Sequence, residues 1–239
     1  VHLRYTAGIY GVDENGGVRL AWRTVSDWEQ PQFNDPTAFG YTTVQTNAKI
    51  KMEISRSPFQ RPFHNSILIK VRDGNLFPGE TIDIILGDTS QGSPGIRAQS
   101  FVETEHEFKF LVDPFNVGTF QQVPESAYVS VVNGPANEVQ MVAPSTVKCG
   151  EPFACTVRVL DEWGNPCKNF EGDISVTNPE TNEERILRLS RENKGFLRFE
   201  DNVFLTPATY QYSVRCGDFS CLSNPTLVSA EDEEYHLYW

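Results

Sequence analysis

Short runs in which apolar and polar residues alternate recur along the whole chain, and they predict β-strands rather than helices. In the first half, the predicted strands cover residues 18–25, 40–46, 67–71, 81–86, 96–101, 107–112 and 128–132. Turn-forming residues separate these runs, most clearly at 73–75, 87–95 and 113–114. Closely spaced strands with such turns are typical of antiparallel β-sandwiches, so the predicted fold class is all-β.

The second half repeats this pattern and adds a feature of immunoglobulin-like sandwiches. Apolar and polar side chains alternate over 153–159 and again over 210–216, as expected of half-buried strands, and a strong turn lies at 161–166. Tyr210 follows a corner at 205–209. In a tyrosine corner, the hydroxyl of such a residue bonds the backbone a few residues upstream. We therefore predict an immunoglobulin-like sandwich.

Changes in composition divide the chain into three parts. The turn Asn133-Gly134-Pro135 places a boundary that gives an N-terminal β-sandwich at 1–135 and the immunoglobulin-like domain at 136–230. Residues 231–239 are interpreted as an acidic linker and the truncated first strand of a missing C-terminal domain, because a free end rarely leaves such apolar side chains uncovered. A docked C-terminal tail is the alternative. The side chains predicted to make an interdomain contact are Tyr235, Leu237, Tyr238 and Trp239.

The charge balance argues against anionic partners. Acidic residues number 32 and basic residues 20, and the net charge of −12 would repel nucleic acids and anionic membranes. No stretch approaches the roughly 20 apolar residues that span a bilayer. Five cysteines are an odd number, and no Asn-x-Ser/Thr site occurs with x other than proline, so a cytoplasmic location is favoured over a processed, secreted form. A single disulfide, Cys155–Cys216 or Cys216–Cys221, stays open.

A glycine-rich loop at 87–95 is the first candidate for chemistry. Its backbone amides, with Arg97 close by, could hold an anion. The loop lacks the Gly-Lys-Ser/Thr ending of a P-loop, and a long turn is the favoured interpretation. A weaker hypothesis makes the first domain an enzyme that uses Asp88, Arg97 and Asp113 at one end of a sheet.

His106 is the second candidate, since three glutamates flank it. Strand alternation places Glu103, Glu105 and Glu107 on one face and His106 on the other. A metal site would require these side chains to converge, so a solvated strand face is favoured.

Aromatic residues between positions 20 and 46 form the third candidate. Core or interface packing is favoured for them, and stacking on a sugar ring is the alternative. The candidate ligand surface for that alternative consists of Trp28, Asp88 and Arg97. No catalytic, cofactor-binding or metal-ligating residue is assigned in this chain. The aromatic residues between positions 20 and 46 that form this third candidate are Trp22, Trp28, Phe33, Phe39 and Tyr41.

The order of several short motifs resembles the N-terminal half of a bacterial family of largely uncharacterised proteins. The C-terminal half of that family looks like the polymerase-and-histidinol-phosphatase (PHP) type of metal-dependent hydrolase. The resemblance covers nearly the whole chain. Its motifs are Ser26-Asp27-Trp28, Gly40-Tyr41-Thr42-Thr43-Val44, Gly79-Glu80-Thr81-Ile82, Leu86-Gly87-Asp88, Gly92-Ser93-Pro94-Gly95-Ile96-Arg97, Val112-Asp113-Pro114, Ala143-Pro144-Ser145 and Asp161-Glu162-Trp163-Gly164-Asn165-Pro166.

This resemblance implies that the catalytic half lies beyond this chain. In the family, a Tyr-x-Leu-Tyr-Trp run leads into Gly-Asp-x-His, whereas this chain ends at Trp239. No metal ligand of the family therefore falls on a position here, and a divalent metal is expected in the missing domain. The main hypothesis is a non-catalytic scaffold or substrate-cleft module whose partner is that hydrolase domain, with a homo-oligomer left open. The alternative is a free-standing carbohydrate-binding or adhesive β-sandwich pair.

Overall fold

The computed structural model describes residues 1–230 and forms two compact units that divide between Val132 and Asn133. Strands and one short 3₁₀ turn make up its regular structure, and residues 1–230 contain no α-helix. The all-β prediction is therefore confirmed. The predicted linker and terminal strand at 231–239, with Tyr235, Leu237, Tyr238 and Trp239, lie outside the described residues.

The first unit pairs a small and a large antiparallel sheet. The small sheet has the order β1-β6-β3, and the large sheet has the order β4-β5-β2-β7-β8, with β9 also pairing with β7. Its strands are β1 (His2–Thr6), β2 (Gly17–Trp22), β3 (Thr42–Thr46), β4 (Lys51–Arg56), β5 (Asn65–Arg72), β6 (Thr81–Leu86), β7 (Glu103–Asp113), β8 (Gln121–Gln122) and β9 (Ala127–Val131).

The core of this unit forms because alternate side chains of the two sheets face each other. In β6, which coincides with its predicted bounds, Ile82, Ile84 and Leu86 are buried. They belong to one cluster with residues of β2, β5 and β7, including Leu20 and Phe108. The hydrophobic effect therefore closes the two sheets on a single apolar layer.

The segment 96–101 is not a strand, and that prediction is wrong. Its backbone groups bond a neighbouring loop instead: the amide of Arg97 donates to the Glu29 carboxylate at 3.0 Å, and the amide of Ser100 donates to Asp27 at 2.8 Å. At the start of this long loop Gly87 has a φ of 69°, and a Cβ there would lie 2.5 Å from the Ile96 nitrogen. Glycine is thus required where the loop folds back on itself.

The second unit also has two main sheets, with strand orders β10-β12-β15 and β14-β13-β17-β18. A third, small sheet joins β11 and β16 to β19, and β11 runs parallel to β19. The strands within residues 133–230 are β10 (Glu138–Val142), β11 (Thr146–Lys148), β12 (Phe153–Leu160), β13 (Gly172–Thr177), β14 (Glu184–Leu189), β15 (Phe196–Asn202), β16 (Thr209–Tyr210), β17 (Ser213–Cys216), β18 (Phe219–Leu222) and β19 (Thr226–Ser229).

This topology is immunoglobulin-like. The strands β10, β12 and β15 take the places of A, B and E, while β13, β17 and β18 take those of C, F and G. The strand β14 lies beside β13 rather than in the other sheet. The immunoglobulin-like prediction for the second half is confirmed by this strand order.

The tyrosine corner differs from its prediction. The hydroxyl of Tyr210 lies 3.4 Å from a carboxylate oxygen of Glu180 rather than on the upstream backbone. The same carboxylate accepts the amide of Leu205 at 3.0 Å. The Glu180 carboxylate therefore stabilises this corner, because its side chain is long enough to bond both the Leu205 amide and the Tyr210 hydroxyl.

The cysteines form no disulfide in the structure, as all five carry free thiols. Cys155 and Cys216 are both buried, on β12 and β17 of different sheets. Burial raises the pKa of the Cys155 thiol to about 12, so this sulfur stays protonated and unreactive at neutral pH.

Candidate functional site

The proposed ligand surface of the first unit does not form around Trp28. Its side chain is only 6% exposed and packs on His106 and Phe108, with ring-centre distances of 5.4 and 5.7 Å. The prediction of Trp28 as a ligand-stacking residue is therefore wrong, since its ring faces are covered by the core. Core packing, the favoured alternative, is what the structure shows.

Asp88 and Arg97 each have local partners. The buried Asp88 carboxylate accepts the Thr43 hydroxyl at 2.6 Å and the Ser90 amide at 2.9 Å, and these bonds lower its pKa. A guanidinium nitrogen of Arg97 lies 3.6 Å from the Asp27 carboxylate. These contacts fix the loop that follows β6, which agrees with a structural turn.

The weaker enzyme hypothesis fails on topology. Asp113 ends β7, and the neighbouring Pro114 carbonyl accepts the Asp13 amide beside the loop that precedes β6. Asp88 follows the other end of β6. The two carboxylates thus lie at opposite ends of the sandwich and cannot act together.

His106 is buried through a β-bulge. The pairing of β7 with β9 shifts between Glu103 and His106, so Glu103 reaches the histidine side of the strand and accepts Nδ1–H at 3.0 Å. The prediction that all three glutamates face away from His106 is therefore wrong for Glu103. Burial, aided by the nearby Arg23 guanidinium, lowers the pKa of His106 to about 4. Within residues 1–230, no group of three or more His, Cys, Asp or Glu side chains is placed to hold a metal ion.

A cavity lies instead in the second unit, and we call it the β14–β15 pocket. Its volume is about 330 Å³, near the lower limit of small-molecule sites. It opens between β13 and β14 of one sheet and β15 of the other. The lining residues are Val176, Asn178, Thr181, Glu183, Glu184, Arg185, Phe199, Asp201, Asn202, Val203 and Tyr212.

A charged residue on the inner face of β14 accounts for the opening. Leu187 and Leu189 are buried, and alternation places Arg185 on the same face, but its side chain is exposed. The guanidinium carbon of Arg185 lies 5.2 Å from the centre of the Phe199 ring, and a terminal nitrogen donates to the Glu200 carbonyl at 3.3 Å. The sandwich therefore ends at this position in a polar mouth over an aromatic wall.

A bulge in β15 supplies the opposite side of the mouth. Phe153 pairs with Asn202 and Cys155 pairs with Phe199, so β15 carries one extra residue over this stretch. Asp201, within it, has a φ of 65°, a left-handed conformation that is uncommon outside glycine. Such bulges often redirect a side chain beside a functional site.

Tyr212, one of the residues that line the pocket, carries a buried hydroxyl without a partner among residues 1–230. Tyr212 is 2% exposed, and its hydroxyl makes no hydrogen bond within the described part of the chain. Burial is the main cause of the raised pKa of this phenol, which therefore stays protonated. A buried polar group left unpaired destabilises a fold by about 1–3 kcal/mol, so a ligand hydroxyl or water bonded there would be stabilising.

The rim combines hydrogen-bond acceptors and donors. The carboxylates of Glu183 and Asp201 accept hydrogen bonds, the guanidinium of Arg185 donates them, and the amide of Asn178 can do both. The side-chain oxygen Oδ1 of Asn178 accepts the backbone amides of Glu180 at 2.8 Å and of Thr181 at 3.3 Å, which fixes the turn before β14.

Sequence reasoning missed this pocket, although one signal was present. Strand alternation places Arg185 on the same face as Leu187 and Leu189. A charged residue on an otherwise apolar face indicates that the core ends at that position. Asp201 gave no such signal, because a bulge does not follow from alternation. Tyr212 looked like any inward-facing strand residue.

These features define an all-β protein with two compact units. No protein-family model matches the chain. Two similar relatives are uncharacterized proteins of Chlamydia muridarum, 28% identical over 144 residues, and Chlamydia trachomatis, 29% identical over 144 residues. Each match covers 57% of this chain and 23% of the relative, so the matched part spans about a quarter of those proteins.

Among solved structures, FdeC, an adhesin of Escherichia coli, matches with a TM-score of 0.34 and 10% identity. The match covers 96% of this chain and 63% of the adhesin chain. A likeness this low bears on neither function nor detailed topology. No helix in residues 1–230 is long and apolar enough to span a membrane.

Proposed function

We propose that this chain is a non-catalytic recognition module that binds a polyhydroxylated ligand, a carbohydrate, in the β14–β15 pocket. The observation that carries the proposal is the Tyr212 hydroxyl, which has no hydrogen-bond partner within residues 1–230 and belongs to a residue lining a pocket whose mouth mixes carboxylate, amide and guanidinium groups. This proposal keeps the binding-module alternative drawn from the sequence. It moves the site from the aromatic cluster around Trp28 to the second unit.

The chemistry of the lining fits sugar hydroxyls. Each hydroxyl donates one hydrogen bond and accepts others, so a site for vicinal hydroxyls needs acceptors and donors side by side. Asp201 and Glu183 provide acceptors, and Arg185 provides donors. Val176 and Phe199, both buried, form the apolar wall behind these polar groups.

Removing a single oxygen tests this proposal. Tyr212→Phe keeps the buried ring and deletes only the hydroxyl, so we expect saccharide binding to weaken about tenfold while the fold is retained. Saccharides that bind the wild-type chain on a glycan array would be titrated by calorimetry. Tyr210→Phe is the matched control, because its hydroxyl contacts Glu180 and does not line the pocket.

Three outcomes are informative. Loss of affinity in Tyr212→Phe but not in Tyr210→Phe supports the pocket as the sugar site. Equal affinities in all three proteins place sugar binding elsewhere and contradict the proposed site. An array without bound glycan, obtained with well-folded protein, contradicts the proposed ligand class.

We also propose, from the family resemblance, that a PHP-type hydrolase domain with a divalent metal is the partner of this chain. The matched relatives are about four times longer than the matched segment, which leaves room for such a domain in proteins of this kind. The test is the coding sequence after Trp239. Gly-Asp-x-His followed by further His and Asp clusters would support the proposed hydrolase domain, whereas a stop codon at that point would contradict it.

A further inference from the structure

Three loops at one end of the first unit expose large apolar side chains. The loops follow β1, precede β6 and follow β7. We call this surface the apolar tip. It comprises Ile9 (81% exposed), Tyr10 (76%), Phe77 (61%), Phe115 (52%) and Val117 (69%). Clusters of this kind on a soluble surface mark interaction sites.

The apolar tip is held in shape by backbone hydrogen bonds. Val12 and Leu76 exchange two bonds of 2.8 Å. Between them and the tip, Gly11 has a φ of 62°, and a Cβ at this position would lie 2.4 Å from the Leu76 carbonyl oxygen. The rings of Tyr10 and Phe115 meet edge to face at 6.3 Å. The loops therefore present a preformed surface, which reduces the entropy lost on binding.

The charge around the tip restricts its partner. Asp13 and Glu14 follow Tyr10 in the same loop and are exposed, and neither carboxylate forms an ion pair within residues 1–230. An anionic membrane would be repelled by these groups. The complementary surface is an apolar pocket that carries a cation.

The chain itself has such a surface on the outer face of β10, β12 and β15. A pocket of about 310 Å³, mostly apolar, is lined by Val142, Thr156, Arg158, Pro166 and Phe196. We call it the Arg158 pocket. The Nε of Arg158 is buried without a hydrogen-bond partner among the described residues. Phe196 is 52% exposed and Val142 is 41% exposed, so aromatic and aliphatic side chains are accessible beside the Arg158 guanidinium.

We propose that the apolar tip of one copy of this chain docks into the Arg158 pocket of a second copy. Tyr10 or Phe115 would contact Phe196 and Val142, and the carboxylates of Asp13 and Glu14 would face Arg158. Because the two surfaces differ, the contact is head-to-tail, and it extends into filaments unless the rotation closes a ring.

Sedimentation velocity on the full chain over a range of concentrations tests the proposal. We expect concentration-dependent association that weakens at least tenfold in Tyr10→Ser and in Arg158→Glu. Tyr128→Ser is the matched control, since Tyr128 is 58% exposed on β9 and belongs to neither surface, so the association of this variant should equal that of wild type. Circular dichroism checks that each variant is folded.

A charge exchange separates direct contact from indirect effects. The double charge reversal Asp13→Arg, Glu14→Arg should weaken association, and combining it with Arg158→Glu should restore affinity to within about threefold of wild type. A monomer at every concentration overturns the proposal. Association that survives the tip variants, or that Arg158→Glu leaves unchanged, overturns it as well.

Discussion

At the residue scale, buried polar side chains distinguish this molecule from a generic β-sandwich. Arg19, on the central strand β2, is 6% exposed, and its guanidinium lies between the rings of Phe59 and Phe120 at 5.0 and 4.9 Å. One of its nitrogens donates to the Ser57 carbonyl and to the Ser66 hydroxyl, each at 2.7 Å. Within residues 1–230, this buried cation is therefore stabilised by aromatic faces and neutral acceptors rather than by a carboxylate.

His106 leads to a prediction about pH. Burial, with Arg23 nearby, lowers its pKa from 6.5 to about 4, so the folded state holds the neutral ring. The unfolded chain binds the extra proton between these values, and stability must fall as pH drops from about 6.5 to 4. The unfolding free energy that depends on neutral His106 is fully present above pH 6.5, and about 3 kcal/mol of it is lost on acidification below pH 4.

Urea unfolding of wild type and His106→Gln at pH 7 and pH 4.5 measures this contribution. The loss of unfolding free energy on acidification should be smaller in the variant, after the shared change from carboxylates is subtracted. His64→Gln is the control, because His64 lies on an exposed loop and its ring nitrogen Nδ1 bonds the Phe59 carbonyl rather than a charged group. Parallel pH profiles for wild type and His106→Gln would contradict the assignment.

At the scale of elements, single aspartates organise turns at strand ends. The carboxylate of Asp161, after β12, accepts the amides of Gly134, Trp163 and Asn165 at 2.8, 3.0 and 2.8 Å. Burial tends to raise its pKa, but these bonds and that from the Asn165 side chain outweigh burial and lower it. The strong turn predicted at 161–166 owes its shape to this carboxylate.

Asp161→Asn should therefore destabilise the fold by about 2 kcal/mol at pH 7, because an amide accepts with one oxygen and turns a donor toward backbone N–H groups. Chemical denaturation followed by tryptophan fluorescence measures the change. Glu162→Gln, an exposed neighbour in the same turn, should stay within about 0.5 kcal/mol of wild type. Equal stabilities of wild type and Asp161→Asn would show that the turn forms without the charge.

Elements were predictable from sequence wherever strand alternation alone decides the structure. The strand at 81–86 was predicted to the residue, since Ile82, Ile84 and Leu86 fill one face and turns bound both ends. The predicted strand at 96–101 failed because side chains of Asp27 and Glu29 bond its backbone amides. The alternation of apolar and polar residues within a segment carries no information about contacts with residues so distant in sequence.

At the scale of the whole molecule, the site was less predictable than the fold. The aromatic residues that sequence reasoning offered to a ligand include Trp28, which packs in the core. The β14–β15 pocket depends on a bulge at Asp201 and on the juxtaposition of two sheet edges, which arise only from tertiary structure. The free thiols of Cys155 and Cys216 likewise required the three-dimensional placement of their strands.

Nuclear magnetic resonance can show directly whether the β14–β15 pocket binds a saccharide. An isotope-labelled full chain would be titrated with glycans selected on the array. If the pocket binds a saccharide, the amide signals of Asn178, Arg185, Asp201 and Tyr212 should shift saturably, while those of the first unit stay unchanged. Saturable shifts confined to other surfaces, or none with any glycan tested, would contradict it.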